Sequence, residues 1–368
     1  MDFALSQDQK LMQASLAGTL DRASPLERVR AFAETREGVA RDVWGALTEL
    51  GVPGLLIGEE HGGLGLGLLD AALVAETLGA HVAPTPFLGS AVLAPLAILG
   101  AGSPAQQQQW LPRLAAGERL AGAAIAETVS GARDGAGVSA DVSSGGGRLD
   151  GKALFALDAA EADVILVADS SGGLWLVAGD APGLTRIALT TIDLTRSVSE
   201  LRFENTPAEA LATGDAGATL ARLRDAAWTM TAADMLGASA VMIDKAVAYA
   251  KERRQFGRLI GSFQAVKHLC AEMAAELEPC RALVWYAAYA QDAVPADASL
   301  TAAHAKAHLA EVSRFVARTA TEVHGGMGIT DLLGLHYWFK RIGLDRQLFG
   351  GPERVRHLAA AMQGLAAA

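Results

Sequence analysis

Apolar residues recur every three to four positions through about the first 120 residues, which predicts a series of α-helices. In LVAETLGAHV the pattern is helical, and Ser103-Pro104 marks the start of a further amphipathic helix. The segment LGVPGLLIGEEHGGLGLGLLD breaks this pattern because it contains seven glycines. We therefore predict a loop there, which is either a connector between helices or one wall of a binding cleft.

From about Ala121 the pattern changes to short β-rich runs separated by Gly, Asp and Ser. The runs are AGAAIA, GVSADVS, DVILVAD, LWLVAG, GLTRIAL and ELRFEN. The stretch SSGGGRLDG at 143–151 predicts a hairpin turn, since no long helix follows it. This spacing predicts a small antiparallel β-domain.

From Asp215 onward the chain is again helical in pattern, with breaks near 257–261, 294–295 and 325–328. About four long helices between these breaks indicate a helical bundle. The predicted fold is α+β, mainly α, with a helical domain over 1–120, a middle β-domain over 121–212 and a C-terminal bundle over 213–368.

Composition narrows the class of protein. The net charge of −10 over 368 residues argues against a nucleic-acid partner. Two cysteines, Cys270 and Cys280, cannot build a disulfide scaffold, which fits a reducing compartment. The opening MDFALSQDQK lacks the pattern of a signal peptide, and no uncharged apolar run reaches membrane-spanning length. We therefore expect a soluble, cytoplasmic protein without a membrane partner.

Several segments, in order along nearly the whole chain, resemble the acyl-CoA dehydrogenase family. They are MDFALSQDQKLM, LGVPGLLIGEEHGGLGLGLLDAALVAETLG, QQQQWLPRLAAGERLAGAAIAE, AVAYAKERRQFGRLIGSFQAVKHLCAEM and TEVHGGMGITDLLGLHYWFKR. The resemblance implies a helical N-terminal domain, a middle β-domain and a C-terminal four-helix bundle, usually in a tetramer.

The resemblance also implies a chemistry. A carboxylate removes the α-proton of an acyl-CoA thioester, and the β-hydride passes to N5 of FAD, which carries the redox step. Electrons then leave through an electron-transfer flavoprotein. FAD, an acyl-CoA substrate, an oligomeric assembly and that flavoprotein are therefore the expected cofactor and partners.

The segment ERRQFG stands where the family contacts the FAD of a neighbouring subunit. By this resemblance Arg253 binds the pyrophosphate, for which its planar fork of donors is suited, and Gln255 and Phe256 lie beside it. Ile260 and Phe263 would continue the same wall. The alternative interpretation is a helix end whose basic residues compensate the dipole and whose cap is Gly257.

A second cofactor contact is implied in the turn EVHGGMG, where Gly325 and Gly326 let the backbone approach FAD. Glu322 stands where the family usually has Gln, which places an anion near the dinucleotide. His324, considered alone, is better interpreted as a packed structural histidine than as an acid–base group.

Members of the family carry their catalytic carboxylate at one of two positions, and this chain has no carboxylate at either of them. In the stretch that resembles the family's Tyr-Glu-Gly-Thr, Gly350 occupies the base position. The other known position, counted back from ERRQFG, is Ala227. We therefore predict no catalytic base in this chain at either position.

The flavin-facing part of the β-domain also differs from the family. Ala126 stands where a threonine would bond the flavin, and Ala132 and Arg133 replace Ser and Asp. Phe155 can still stack on a ring, but Leu157 cannot bond flavin N5 or O4. Each unsatisfied flavin acceptor would cost roughly 1–3 kcal/mol. These differences argue against a complete flavin site in this β-domain.

Three other carboxylates could in principle serve as the catalytic base. Asp234 lies two turns after Ala227 on the same helix face, and Asp345 and Glu353 bracket the empty position, yet each is more simply a solvated or capping charge. His304 and His308 have metal-ligand spacing without a third ligand, so an amphipathic helix face is the better interpretation.

Three functions remain open. The first is a base-lacking subunit of a heteromeric acyl-CoA dehydrogenase, of the kind that acts on fatty acyl or steroid side-chain thioesters, whose partner supplies the base. The second is a homo-oligomeric dehydrogenase with a displaced carboxylate. The third is a non-catalytic scaffold or acyl-CoA-binding protein that keeps only the fold.

Overall fold

The computed structural model describes residues 4–131, 133–142 and 147–365, and its first part is helical as predicted. Ser6 caps the first helix: its Oγ accepts a hydrogen bond from the Gln9 N–H at 3.1 Å, and Gln9 Oε1 accepts one from the Ser6 N–H at 3.0 Å. A π-helical segment, Leu88–Leu93, precedes α5. The helices here are α1 (Gln7–Ala23), α2 (Leu26–Thr35), α3 (Arg41–Thr48), α4 (Leu68–Ala80), α5 (Ala94–Ala101) and α6 (Pro104–Ala115).

The glycine-rich segment between α3 and α4 is a loop, as predicted. It contains two short 3₁₀ turns, Val52–Gly54 and Glu59–His61. Together with α1 and α4 it forms a surface groove of about 430 Å³, whose apolar lining includes Met12, Leu64 and Val74. None of the residues predicted to bind the cofactor lines this groove.

The middle of the chain folds as a ring of strands. Hydrogen bonds connect the strands in the order β2-β3-β1-β4-β5-β7-β6, and a further pairing of β3 with β7 closes the ring. Its interior is filled by apolar side chains such as Ile165, Trp175 and Phe203. The strands are β1 (Ala121–Ala124), β2 (Gly137–Asp141), β3 (Gly147–Leu157), β4 (Val164–Ala168), β5 (Leu174–Ala178), β6 (Leu184–Ala188) and β7 (Val198–Ala210).

Two features of this β-domain differ from the expectation. Strands β1 and β4 are parallel, with Ala121 opposite Val164. Strand β3 runs antiparallel to β1, and the chain then reverses direction again before β4. The other described pairs of this sheet are antiparallel. Strand β3 was not among the predicted runs, since its glycines and charged residues break the apolar pattern. The predicted turn begins at 143–146, which lie outside the described residues. A short helix, α7 (Ala126–Ser130), follows β1.

The C-terminal part is a helical bundle, as expected, and its helices are interrupted at the three predicted places. A further break, at residues 348–351, divides the last part into two shorter helices, the second of which begins at Pro352. A small hairpin of β8 (Arg254–Gln255) and β9 (Arg258–Leu259) lies between the first two helices. The helices are α8 (Ala216–Glu252), α9 (Gln264–Ala293), α10 (Pro295–His324), α11 (Leu335–Gln347) and α12 (Pro352–Met362).

Helix α8 is the central helix of the molecule. Among the described helices it alone is long and apolar enough to cross a membrane, and 83% of its most apolar window is buried inside the protein. Helix α4 packs closely on α8 at two glycines. A Cβ at Gly79 would collide with the Asp234 carbonyl, and a Cβ at Gly237 would collide with the Glu76 carbonyl. The apolarity of α8 therefore serves the core of the protein.

A buried ion network ties the β-domain to the bundle. Arg196, in the connection between β6 and β7, donates from Nη2 to Asp234 Oδ2 on α8 at 2.8 Å and from Nε to Asp345 Oδ1 on α11 at 2.8 Å. Lys306 on α10 donates to the Asp345 carbonyl oxygen and to Thr231 Oγ1. Burial lowers the pKa of Lys306. One arginine thus joins the β-domain to two helices of the bundle.

Asp158 adds a carboxyl whose charge opposes folding at neutral pH. It is buried and accepts a hydrogen bond from the Gly89 N–H at 2.9 Å, and burial raises its pKa to about 6. The folded state therefore holds this proton more tightly than the unfolded state, so the contribution of Asp158 to the free energy of unfolding is greatest below about pH 4 and is lost as the pH rises through about 6.

We expect Asp158→Asn to stabilise the chain at pH 8 by on the order of 1–3 kcal/mol and to bring no gain at pH 4. The amide keeps the acceptor for Gly89, and Asn tolerates the backbone φ of 56° at this position. Urea unfolding at the two pH values measures the difference. The exposed change Asp244→Asn is the control, and an equal gain at both pH values would contradict the assignment.

Candidate functional site

A narrow cleft lies between the β-domain and the segment that joins α11 to α12. Its volume is about 60 Å³. The cleft brings together Ala126 and Phe155, two of the positions predicted to face the flavin, with Phe349, the neighbour of the empty base position. Its complete lining is Ala126, Glu127, Ser130, Gly131, Arg133, Phe155, Leu344, Gln347, Leu348 and Phe349.

Phe155 lies at an irregularity of β3, where its backbone φ is 54°. The guanidinium carbon of Arg133 lies 4.3 Å from the centre of its ring, so the open face of the ring is covered by this cation. Leu157 is buried and paired with Ala123 in the sheet. Ala132 lies outside the described residues. Among the described residues that line the cleft, Ser130 carries a hydroxyl, whereas position 126 has none.

The two empty base positions lie on neighbouring elements. Trp228, which follows Ala227 on α8, donates from Nε1 to the Phe349 carbonyl oxygen at 2.8 Å, next to Gly350. Gly350 has a φ of 106°, which residues with a side chain rarely adopt. Ala227 is fully buried. The two positions at which the family resemblance predicts the base thus carry no carboxyl group, and the backbone at Gly350 disfavours a residue with a side chain.

The three carboxylates considered as substitutes are engaged elsewhere. Asp234 and Asp345 are both bound by Arg196. The expectation that Asp234 and Asp345 are solvated or capping charges is wrong, because both side chains are buried. Burial and the neighbouring Asp234 raise the pKa of Asp345, while Arg196 opposes this shift. Glu353 is exposed and lies 3.3 Å from Arg346.

Glu127 is the carboxylate that lines the cleft, and the sequence argument did not single it out. Its Oε1 accepts a hydrogen bond from the Leu154 N–H at 2.6 Å, which holds the strand beside Phe155. Burial raises the pKa of Glu127. Its place directly after Ala126, in the stretch already compared with the family, was the signal that could have identified it.

The segment ERRQFG forms an exposed hairpin. Helix α8 ends at Glu252, and Phe256 and Gly257 form the turn between β8 and β9, so the alternative of Gly257 as a helix cap is wrong. Phe256 is 92% exposed, and its ring lies edge-on to Phe263 with centroids 6.1 Å apart. Arg253 and Gln255 are exposed, and Ile260 is half-buried. The hairpin presents cations and an aromatic ring to its surroundings.

The glycine turn after α10 lies at the end of the bundle where α8 ends, because Tyr249 of α8 contacts His324 of α10. His324 stacks on Tyr249 of α8 with centroids 4.7 Å apart, and its Nδ1 lies 2.7 Å from the Ala320 carbonyl oxygen, so it is a packed histidine. Gly325 and Gly326 are exposed, and a Cβ at either would meet only open space. Glu322 is also exposed. This turn is therefore accessible to a molecule outside the chain.

FAD fits one part of this chain and not the other. Ligand pockets typically measure about 300–1,000 Å³, whereas the cleft beside Phe155 holds about 60 Å³. This cleft is well below that range. The hairpin, by contrast, carries the exposed donors of Arg253 and Gln255 and the free ring of Phe256, which suit a pyrophosphate and an adjoining apolar group.

Comparison with known proteins agrees with the fold. The N-terminal domain of acyl-CoA dehydrogenases matches residues 6–118, and the C-terminal domain matches residues 220–364. The acyl-CoA dehydrogenase IpdE2 of Mycolicibacterium smegmatis is 31% identical over 97% of this chain and 99% of its own length. IpdE2 of Mycobacterium tuberculosis is 32% identical over 95% of each chain.

Two solved structures of similar chains are complexes of two different proteins. A chain of the ChsE4-ChsE5 complex from Mycobacterium tuberculosis is 28% identical, with a TM-score of 0.89 over 99% of both chains. A chain of a Tcur3481-Tcur3483 steroid ACAD variant is also 28% identical, with a TM-score of 0.88 over 97% of this chain and 98% of that one. The predicted fold class is confirmed, and the chain belongs to the acyl-CoA dehydrogenase family.

Proposed function

We propose that this chain is the base-lacking subunit of a heteromeric acyl-CoA dehydrogenase, which introduces an α,β double bond into an acyl-CoA thioester. The observation that carries this proposal is an asymmetry within one chain. The cleft beside Phe155 is small and has no carboxylate at either predicted base position, whereas the hairpin and the glycine turn are exposed.

The exposed hairpin and the glycine turn are suited to contact a cofactor that another subunit binds. Arg253 would bind the pyrophosphate of FAD through its fork of donors, with Gln255 beside it, and Phe256 would pack on an apolar part of the dinucleotide. Ile260 and Phe263 would extend this surface, and Gly325 and Gly326 leave room for a close approach. When bound, FAD supplies the hydride acceptor.

The partner subunit would supply the ring-binding β-domain and the carboxylate. The names of two structural relatives, a ChsE4-ChsE5 complex and a steroid ACAD, support a two-chain assembly and a steroid-derived thioester among the candidate substrates. An electron-transfer flavoprotein is the proposed electron acceptor, supported by a structural relative that is described as an electron-transferring flavoprotein of Acidaminococcus fermentans. The cytoplasm is the proposed location.

A second candidate, a homo-oligomer with a displaced base, is favoured by one observation. Glu127 lines the cleft and has a raised pKa, as a general base requires. Its hydrogen bond to Leu154 and the small cleft favour a structural role. The third candidate, a scaffold without catalysis, predicts no activity with any partner.

Purification with and without a partner separates these functions. The gene for a related chain that keeps the family's glutamate is co-expressed with this one, and FAD is measured by absorbance. We expect this chain alone to be colourless and the co-purified complex to be yellow, with one FAD per two chains. One tightly bound FAD in every chain purified alone would overturn the proposal.

Within that complex we expect Arg253→Ala to lower FAD retention by about tenfold or more, because a charge-assisted bidentate contact is worth about 1.5–3 kcal/mol. Flavin content after dialysis measures the loss. Arg202→Ala, an exposed arginine of the β-domain, is the matched control and should leave the flavin content unchanged. Equal flavin content in the two variants would count against the contact.

A further inference from the structure

The register of the β8–β9 hairpin sorts its arginines between two faces. Gln255 lies directly opposite Arg258, and the Ile260 N–H donates to the Arg253 carbonyl oxygen at 2.8 Å, which continues the pairing beyond the strands. Side chains alternate between the two faces of a strand, and directly opposite residues share a face. Arg253, Gln255 and Arg258 therefore belong to one face of the hairpin, and Arg254 belongs to the other.

The turn of the hairpin fixes this register. Phe256 and Gly257 form a two-residue connection with φ values of 50° and 77°, as a type I′ turn requires. Such a turn matches the twist of the two strands and closes on the pair of Gln255 and Arg258. Arg258 thus lies beside the residues that the proposed function assigns to a pyrophosphate.

Phe263 holds the guanidinium of Arg258 in place. The guanidinium carbon lies 3.9 Å from the centre of the Phe263 ring. This ring is half-buried and directly precedes α9, so it provides a fixed support. An arginine that stacks on a ring keeps the N–H donors at its planar edge free for an anion. Phe263 therefore acts on a ligand through Arg258.

The positive charges of this face are not neutralised within the described part of the chain. Among the residues that the structure describes, neither Arg253 nor Arg258 forms an ion pair with a carboxylate. The two positions are diagonal neighbours in the pairing, about 7–8 Å apart, so their cations repel each other. A diphosphate carries a negative charge on each phosphoryl group and can accept from both arginines at once. A single carboxylate would leave one arginine without a partner.

We propose that Arg258 is a second arginine for the diphosphate of the FAD that the partner subunit binds, so that Arg253 and Arg258 each contact one phosphoryl group. This inference rests on the proposed function and adds Phe263 as the residue that positions Arg258. Coenzyme A also carries a diphosphate. FAD is the favoured source, because Gly325 and Gly326 lie exposed at the same end of the bundle and leave room for the rest of a dinucleotide.

Titration of the FAD-depleted complex with FAD, at low and at high salt, tests this proposal. We expect Arg258→Ala to raise the Kd for FAD by about tenfold, because a charge-assisted contact is lost. The change should also make the Kd less sensitive to salt, since one phosphate contact fewer is formed. Arg254→Ala, on the opposite face, is the matched control and should change both quantities much less.

A double variant tests the role of Phe263. Phe263→Leu keeps an apolar side chain but removes the ring, so it should raise the Kd for FAD by about threefold while Arg258 is present. In the Arg258→Ala background the same change should have no further effect. An equal effect in both backgrounds would refute the positioning role.

The remaining outcomes separate this inference from the proposed function. If Arg253→Ala loses FAD and Arg258→Ala binds it as well as Arg254→Ala does, the role of Arg258 is refuted and the proposed function stands. A raised KM for the acyl-CoA thioester in Arg258→Ala, with unchanged FAD affinity, would assign Arg258 to coenzyme A and overturn the proposal. Unchanged FAD affinity in both Arg253→Ala and Arg258→Ala would refute the hairpin contact of the proposed function as well.

Discussion

The purified chain is expected to show no measurable turnover of an acyl-CoA thioester, and turnover is expected to appear in the complex with its partner. Both family positions for the base, Gly350 and Ala227, lack a carboxylate, and the loss of a general base alone costs about 10²–10⁴-fold. The small cleft beside Phe155 would further weaken the binding of a flavin ring by this chain. Reduction of an artificial electron acceptor with a panel of acyl-CoA thioesters measures the rate.

Three variants make this prediction specific. Gly350→Glu in the isolated chain should not restore activity, since the backbone there has a φ of 106° and the proposed function places the flavin ring in the partner subunit. In the complex, removal of the partner's carboxylate should abolish turnover, and Glu353→Gln in this chain should leave it unchanged. Turnover by the isolated chain that disappears in Glu127→Gln would instead establish the displaced-base enzyme.

The largest loss of stability is expected from Arg196→Met. The change leaves Asp234 and Asp345 buried without their shared cation, and breaking a buried ion pair from one side typically costs about 3–5 kcal/mol. Methionine occupies a similar volume, so the loss reports on charge more than on packing. Urea unfolding at pH 7 measures it.

Two controls separate charge from packing. Arg202→Met removes an exposed partner of Glu200 and should cost less than about 1 kcal/mol. The triple change Arg196→Met, Asp234→Asn and Asp345→Asn removes the stranded charges and should recover much of the loss. If the triple variant is as unstable as Arg196→Met, packing and not charge is the cause.

The order of helices, β-domain and bundle could be predicted from the sequence because each part has a distinct period and its own breakers. The hairpin near Phe256 was located through the ERRQFG segment, although its exposure is a property of the folded chain. Strand β3 was missed because a strand that joins two neighbours in a ring tolerates glycines and charges that a free-standing pattern would not.

The buried ion network could not be predicted from the sequence. Arg196 and Asp345 are 149 positions apart, and no local pattern connects them. Asp345 therefore resembled a solvent-exposed charge until its position at the centre of the interface was known. The same holds for Glu127, which is half-buried only because α7 packs beside β3, and for the parallel pair β1–β4, which depends on the path of the whole β-domain.

The close packing of α4 on α8 has a consequence for how the chain is made. Helix α4 ends at Ala80, but α8, which covers much of it, ends only at Glu252. Ribosomes add about 5–20 residues per second, so the apolar face of α4 emerges roughly 10–35 seconds before its cover. During that interval the nascent chain exposes a helix with ten buried positions, and protection by chaperones is expected to matter most there.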